Sequence, residues 1–221
     1  MQIKAILFDL DGTLVDSNDV HVFAWEEAFA RIGERFERDV IHHQIGKGTD
    51  MLVPSLLPDL EGDAVEALGK AHGHIFKTKY LDQVEPFPEA RDLLAHVHAS
   101  GRKVVLASSA SKADIDHYLK LLDARDLVAA TTTSEDVERT KPAPDIFATA
   151  LGKLDGLAAD EVIVLGDTPY DMEAANKCGI AAVALRSGGF PDDVLWNAGA
   201  IAIYDDVATL LAAFADSPLA R

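Results

Sequence analysis

Four aspartates sit where carboxylates could act together. Asp9 and Asp11 stand two apart in Asp9-Leu10-Asp11-Gly12-Thr13, and Asp167 and Asp171 four apart in Gly166-Asp167-Thr168-Pro169-Tyr170-Asp171. Each pair follows a short apolar run, Ile3–Phe8 in one case and Val162–Leu165 in the other. Val104–Ala107 runs into Ser108-Ser109-Ala110-Ser111, and the sparser Leu127–Thr133 precedes Lys141-Pro142. In an open α/β sheet, ligands bind beyond the carboxyl ends of the strands. If these runs are strands of one sheet, one edge collects four carboxylates, several hydroxyls and a lysine. Close carboxylates repel, and partial desolvation raises their pKa values. A divalent cation together with Lys141 would offset most of that charge. Oxygen ligands without converging Cys or His favour Mg²⁺ over zinc.

The elements that must position these groups follow from the apolar pattern. Ala181–Leu185 and Ile201–Tyr204 complete a set of six runs. They are continuous rather than alternating, as in parallel strands buried on both faces. Helical patterns lie between them. Pro88–Ser100 places Ala90, Leu93, Leu94 and Val97 on one stripe, and Asp145–Leu154 repeats the pattern. Thr168–Lys177 has Pro169 in its first turn and Gly179 beyond its end, both favoured boundary residues. This alternation predicts a doubly wound, Rossmann-like α/β fold with a mostly parallel sheet. One stretch departs from it. From Ser17 to about Leu81 only helical patterns occur: Ser17–Ile32, with Val22, Trp25, Phe29 and Ile32 on a stripe, then Thr49–Leu57 and Asp63–Leu81. Glu85-Pro86-Phe87-Pro88 favours extended chain, because a residue before proline avoids the helical region. The expected organisation is a core of residues 1–16 and 84–221 with an all-helical insert at 17–83.

Composition narrows the functions. A chain of 221 residues holds one full domain and a small second one. With 48% hydrophobic and 26% charged residues it has an ordinary globular composition. Thirty-seven acidic residues against 20 basic give a formal charge of −17. That disfavours non-specific nucleic-acid binding, which needs cations on phosphates, and anionic membrane surfaces. An anionic substrate needs a local positive site. The single cysteine, Cys178, allows no intrachain disulfide and reads as a small packing residue. Runs such as Ile180–Leu185 fall far short of the roughly 20 residues that span a bilayer. The first apolar stretch ends at Asp9, too early for a signal-peptide core, so the cytoplasm is the expected location. Monomer and homodimer are equally compatible with the sequence.

Phe8-Asp9-Leu10-Asp11-Gly12-Thr13 resembles the first motif of the haloacid dehalogenase (HAD) superfamily. Val104-Val105-Leu106-Ala107-Ser108 is similar to its second motif, Lys141-Pro142 to its third and Gly166-Asp167-Thr168-Pro169-Tyr170-Asp171 to its fourth, all in order. The insert resembles the helical C1 cap found near phosphoglycolate phosphatases and β-phosphoglucomutases. The resemblance implies that Asp9 attacks phosphorus and forms an aspartyl-phosphate. Asp11 then serves as general acid and base. Mg²⁺ is held by Asp9, the main-chain carbonyl of Asp11 and Asp167, with Asp171 direct or through water. Ser108 and Lys141 hold the phosphoryl oxygens, with Ser109 one position away as the alternative in register. Gly12 lets the chain turn sharply beside the phosphate.

In the insert, His21 lies on the Trp25 stripe and could face substrate or be a satisfied structural histidine. Lys47, in Gly46-Lys47-Gly48-Thr49, could reach the site or be a solvated loop lysine. The pairs His42-His43, His72/His74 and His96/His98 are not read as zinc sites, since helix residues two apart face different ways. Trp25, Phe76 and Trp196 read as core or interface residues. The resulting expectation is an Mg²⁺-dependent phosphatase of a small phosphorylated metabolite, of the phosphoglycolate or sugar-phosphate type. The alternative is a β-phosphoglucomutase-like phosphosugar mutase. Such mutases typically carry Glu-Asp where this chain has Gly166-Asp167, and Val where it has Thr13, so both departures favour hydrolysis. A non-catalytic binding module on the same fold is a third reading, opposed by the filling of every chemical position.

Overall fold

The computed structural model describes residues 2–221. Six parallel strands form the central sheet: β1 (Ala5–Phe8), β4 (Lys103–Ala107), β5 (Val128–Thr132), β6 (Val162–Gly166), β7 (Ala181–Leu185) and β8 (Ala200–Tyr204), in the order β5-β4-β1-β6-β7-β8. All six apolar runs are therefore strands. Ile6 stands opposite Val104 on one side and Ile163 on the other. The chain leaves β1 on one side for β4 and β5 and on the other for β6 to β8, so the strand order reverses at β1, where doubly wound sheets open a crevice.

Alternation along each strand divides the core. Ile6, Phe8, Val104 and Leu106 point to a face covered by α5 (Ala90–Ala99), α6 (Lys112–Leu121) and α10 (Val207–Ala212). Ala5, Leu7, Val105 and Val164 point to the opposite face, under α7 (Asp145–Gly152), α8 (Pro169–Lys177) and α9 (Asp192–Asn197). Burial on both faces requires the unbroken apolar runs seen in the sequence.

Beyond β1 the chain forms a two-residue strand, β2 (Val15–Asp16), which pairs antiparallel with β3 (Glu85–Pro86). The extended Glu85–Pro86 is thus half of a short ladder. Between β2 and β3 lie only helices: α1 (Asn18–Arg31), α2 (Arg38–His42), α3 (Thr49–Leu56) and α4 (Asp63–Ile75). The expected helix over Asp63–Leu81 changes character at Phe76. A π turn follows at Phe76–Tyr80 and a 3₁₀ turn at Leu81–Gln83. Thr78 Oγ1 donates to the His74 carbonyl at 2.7 Å, a side-chain bond that competes with the helical ladder. Val22, Trp25 and Phe29 of α1 pack with Leu68 and Ile75 of α4, which accounts for the stripe on α1. Among the described residues, no helix is long and apolar enough to cross a membrane.

Candidate active site

The site is built at the carboxyl ends of β1, β4 and β6. Just past β1 the chain folds back on itself. The Leu10 carbonyl accepts from the amides of Thr13, Leu14 and Val15 at 3.1, 2.8 and 3.1 Å, while Leu10 and Leu14 are fully buried and anchor the turn. Gly12 takes φ +71 at its apex, and a side chain there would run into the Asp167 carboxylate and the Asn18 amide. Glycine is needed for backbone conformation and for space together.

Asp9 lies at the start of this turn and is buried. Asp167 follows β6 and is held from two sides. Thr13 Oγ1 donates to its Oδ1 and Asn18 Nδ2 to its Oδ2, each at 3.0 Å. Asp171 sits in the first turn of α8 as half of a capping box. Its Oδ2 accepts from the Thr168 amide at 3.1 Å and hydroxyl at 2.7 Å. A side chain at Gly166 would collide with Asp171, which explains glycine before Asp167. Lys141, fully buried, places Nζ 2.7 Å from Asp9 Oδ1 and 2.7 Å from Asp171 Oδ1.

Asp9, Asp167 and Asp171 each offer a carboxylate oxygen within 4.8 Å of the others. Lys141 is the ammonium placed among these three buried acids. Burial, offset by Lys141 and reinforced by Asp171, pushes the Asp9 carboxyl up to about 7. Burial and the charges of Asp171 and Asp9 hold Asp167 well above the usual carboxylate range. Burial works against the charge on Lys141, but Asp171 and Asp9 outweigh it and raise its pKa. A compact, all-oxygen, electron-rich set with uncompensated negative charge fits a divalent cation such as Mg²⁺. The amide oxygen of Asn18, buried with no hydrogen-bond partner among the described residues, adds a neutral acceptor on the group that already touches Asp167.

The carboxylate of Asp11 does not join this set, a correction to the expectation of four clustered acids. Its Oδ1 accepts from Ser17 Oγ at 2.6 Å and meets His21 Nε2 at 3.2 Å. Only its main-chain carbonyl remains as the metal contact named for it. Burial raises the Asp11 pKa, but the neighbouring His21 and the Ser17 hydroxyl bring it below the usual value. Two carboxyls two residues apart are therefore shifted in opposite directions.

A cavity of about 240 Å³ lies between the sheet edge and the helical insert. Asp9, Asp11, Ser108 and Ser109 line it from one side, and His21, Trp25, Lys47, His72 and Phe76 from the other. Ser108 Oγ accepts from the Ala110 amide at 3.1 Å, and Ser109 Oγ donates to the Gly46 carbonyl at 3.3 Å. Of the two serines, Ser108 stays on the core and Ser109 bridges to the insert. His21 stacks on Phe76, centroids 4.1 Å apart, and its Nδ1 lies 3.4 Å from His72 Nε2. His72 in turn stacks on Trp25 at 4.1 Å. Burial, then the proximity of His21, holds the His72 pKa well below the ordinary value, so His72 is neutral. Trp25 and Phe76 are core residues, as expected, that also form the chamber wall.

Lys47 Nζ donates to Gln44 Oε1 at 2.6 Å and Ser55 Oγ at 3.1 Å and sits 4.5 Å over the Tyr170 ring. Burial lowers its pKa. Its hydrogen-bond partners are neutral, and the carboxylate of Glu173 offsets part of the effect of burial on its charge. The insert loop is tied to the core by Thr140, which precedes Lys141. Thr140 donates to both Asp50 oxygens, at 2.9 Å from its amide and 2.5 Å from its hydroxyl, and accepts from the Gly48 amide at 2.9 Å. Asn18, Asp50, His72, Tyr118 and Thr140 are site residues that no sequence motif singles out. Cys178 is half-buried beside the Pro144 carbonyl, away from the chamber.

Comparison with known proteins places this geometry in context. The model of the haloacid dehalogenase-like hydrolases matches residues 6–185. A phosphoglycolate phosphatase from Yersinia pseudotuberculosis is 30% identical over 191 residues, covering 84% of this chain and 82% of that protein. The chloroplastic protein SUPPRESSOR OF QUENCHING 1 of Arabidopsis thaliana is 27% identical over 214 residues, 95% of this chain, which spans only 20% of that much longer relative. The crystal structure of a hydrolase from Pseudomonas syringae superposes with a TM-score of 0.90 at 31% identity, over 98% of this chain and 99% of that one.

Proposed function

The chain belongs to the haloacid dehalogenase-like hydrolases, and from that premise we propose that it is a phosphatase of small phosphorylated metabolites that uses Mg²⁺ and an aspartyl-phosphate on Asp9. Residues 17–83 act as a cap over a core of 1–16 and 84–221. The observation that carries this reading is the buried set of Asp9, Asp167, Asp171 and Lys141 on one side of a small chamber with Asp11 beside it. Three buried carboxylates with one ammonium, which touches two of them, cost stability, and a role in the chemistry accounts for that cost.

The steps assigned to this chain's residues are these. An Asp9 carboxylate oxygen attacks phosphorus, and the bond from phosphorus to the ester oxygen breaks. Asp11 gives its proton to the departing alkoxide. Asp11 then takes a proton from a water that attacks the phosphorus of the aspartyl-phosphate, releasing phosphate and restoring Asp9. Ser108 and Lys141 hold the phosphoryl oxygens, and Gly12 admits the phosphate to the turn. Asp9, Asp167 and the main-chain carbonyl of Asp11 would hold Mg²⁺, with Asp171 direct or through water; when bound it screens the repulsion between carboxylate and phosphate. Asp171 anchors Lys141, and His21 and Ser17 hold Asp11 in place, where it takes up a proton from solvent as the anionic substrate binds beside it and then gives that proton to the leaving oxygen. The cap opens at the β2–β3 ladder to exchange ligands and closes to exclude water during transfer.

A chamber of about 240 Å³ lies below the usual ~300–1,000 Å³ of ligand pockets, which supports a small substrate such as phosphoglycolate or a short sugar phosphate. Lys47, whose ammonium lines the chamber and bonds only neutral acceptors, suits an anionic or oxygen-rich tail. The test is phosphate release from p-nitrophenyl phosphate with Mg²⁺ and with EDTA. Release that EDTA abolishes is expected. No release, with a broad panel of phosphorylated metabolites also inert, would leave a binding module instead of an enzyme.

A further inference from the structure

The insert loop that carries Lys47, residues 46–50, is seated on the core at positions next in sequence to the site residues. Ser109, beside Ser108, donates to the Gly46 carbonyl at 3.3 Å. A side chain at Gly46 would run into Thr168, beside Asp167, and one at Gly48 into Thr140, beside Lys141. The contact at Thr140 is the most heavily bonded of the three. Asp50 stands in the first turn of α3, where the helix dipole alone favours an acid. Yet both its oxygens accept from Thr140, Oδ2 from the amide and Oδ1 from the hydroxyl. Lys141 itself is tied on either side. Beyond it, the Pro142 carbonyl accepts from Lys177 Nζ at 2.7 Å, a bond to α8, which also supplies Asp171. Before it, the amide and hydroxyl of Thr140 bond to the insert: they donate to Asp50, and the hydroxyl accepts from the Gly48 amide. One flank of the lysine is thus fixed by the core and the other by the insert. Thr140 is buried, and a buried amide left without an acceptor is costly.

We propose that Asp50 is a positioning residue which, through Thr140, makes the placement of Lys141 depend on the seating of the insert. This rests on the phosphatase reading above, in which Lys141 holds the phosphoryl oxygens. Seating the loop then sets two ammonium groups at once, Lys47 within the loop and Lys141 on the core beside its anchor. Coupling between two equilibria is reciprocal. If a seated insert improves the hold of Lys141 on an oxyanion, an oxyanion on Lys141 favours the seated insert by the same factor.

The probe is inorganic phosphate with Mg²⁺, since phosphate has oxygens for Lys141 but no tail for the insert to hold. Two quantities are measured: the Ki of phosphate against p-nitrophenyl phosphate, and hydrogen exchange at the Thr140 amide by NMR. Asp50→Ala and Thr140→Ala should each raise Ki about 10-fold, the scale of one hydrogen bond to a charged group. The double variant should lose no more than either single one, because the pair acts as a unit, and Thr140→Ser should recover most of the loss. In the wild type, saturating phosphate should slow exchange at the Thr140 amide about 10-fold; in Asp50→Ala it should have no such effect. A contact that only holds the fold together would protect that amide equally with and without phosphate, and this result in the wild type, which needs no variant to fold, overturns the proposal. So does an unchanged Ki in Asp50→Ala, or losses that multiply in the double variant. If the wild type turns over p-nitrophenyl phosphate and binds phosphate while its Thr140 amide ignores the anion, only the role of Asp50 fails. If it does neither, the phosphatase reading fails and this proposal falls with it.

Discussion

The two walls of the chamber are held in place in different ways. On the core wall each acidic group is fixed by at least one directional or charged contact: Lys141 on Asp9 and Asp171, Thr13 and Asn18 on Asp167, Thr168 on Asp171. The glycines at 12 and 166 leave no room for a side chain. On the facing wall the contacts are stacks and hydrogen bonds to neutral acceptors, His21 on Phe76, His72 on Trp25, Lys47 on Gln44 and Ser55. Buried charge networks fail badly when one member is removed, whereas stacked and singly bonded groups can be exchanged at modest cost. The core wall is therefore suited to invariant chemistry and the insert wall to choice of substrate.

That contrast can be broken or sharpened by substitution. The largest effect is expected at Asp9. Asp9→Asn should lower phosphate release by on the order of 10⁴-fold or more, since the amide cannot serve as nucleophile; retained activity in a clean preparation would remove Asp9 from that role. Asp11→Asn should cost about 10²–10⁴-fold, the range of general acid–base catalysis, and should cost more on alkyl or sugar phosphates than on p-nitrophenyl phosphate. Equal losses on good and poor leaving groups would speak against proton transfer by Asp11.

Metal addition probes the same wall without turnover. The folded Asp9 pKa of about 7 lies above its ordinary 3.8. Between those values the folded protein holds a proton that the unfolded chain releases, so this group costs the metal-free fold stability as pH rises through that window. Deprotonated carboxylates bind cations. Mg²⁺ at about 100 times its Kd should raise Tm by about 5–10 °C near pH 8 and by clearly less near pH 5. The same shift at both pH values would count against the acid cluster as the metal site. On the insert wall, Lys47→Ala should raise KM about 10-fold and change kcat little. A loss confined to kcat would move Lys47 from substrate binding into the chemistry.

The core wall was legible in the sequence because its groups follow their strands locally. Asp9, Ser108 and Asp167 each stand within a residue of a strand end, and periodicity finds strands. Even the double use of Asp171 has a local signal, Thr168 and an acid three residues on, the spacing of a capping box. The insert wall is assembled by tertiary packing. His72 and His74 do face different ways, but this says nothing about His72 meeting His21 from another helix. Asn18 reaches Asp167 across 149 residues, and Asp50 reaches Thr140 across 90. The separation of Asp11 from the acid cluster is likewise invisible in Asp9-Leu10-Asp11, because it depends on a backward turn and on partners from α1. Helix α6 does carry a local signal, Ile115, Tyr118 and Leu119 at i, i+3 and i+4 after the cap residue Ser111.

The most direct test is chemical trapping at residue 9. Asp11→Asn protein mixed with Mg²⁺ and a turned-over phosphomonoester, quenched within the first turnover, reduced with borohydride and digested with trypsin, should yield homoserine in place of Asp9 in the peptide spanning residues 5–31. No conversion should occur when substrate is omitted. Conversion at a different aspartate, or rapid phosphate release with residue 9 unmodified at every quench time, would contradict covalent transfer to Asp9.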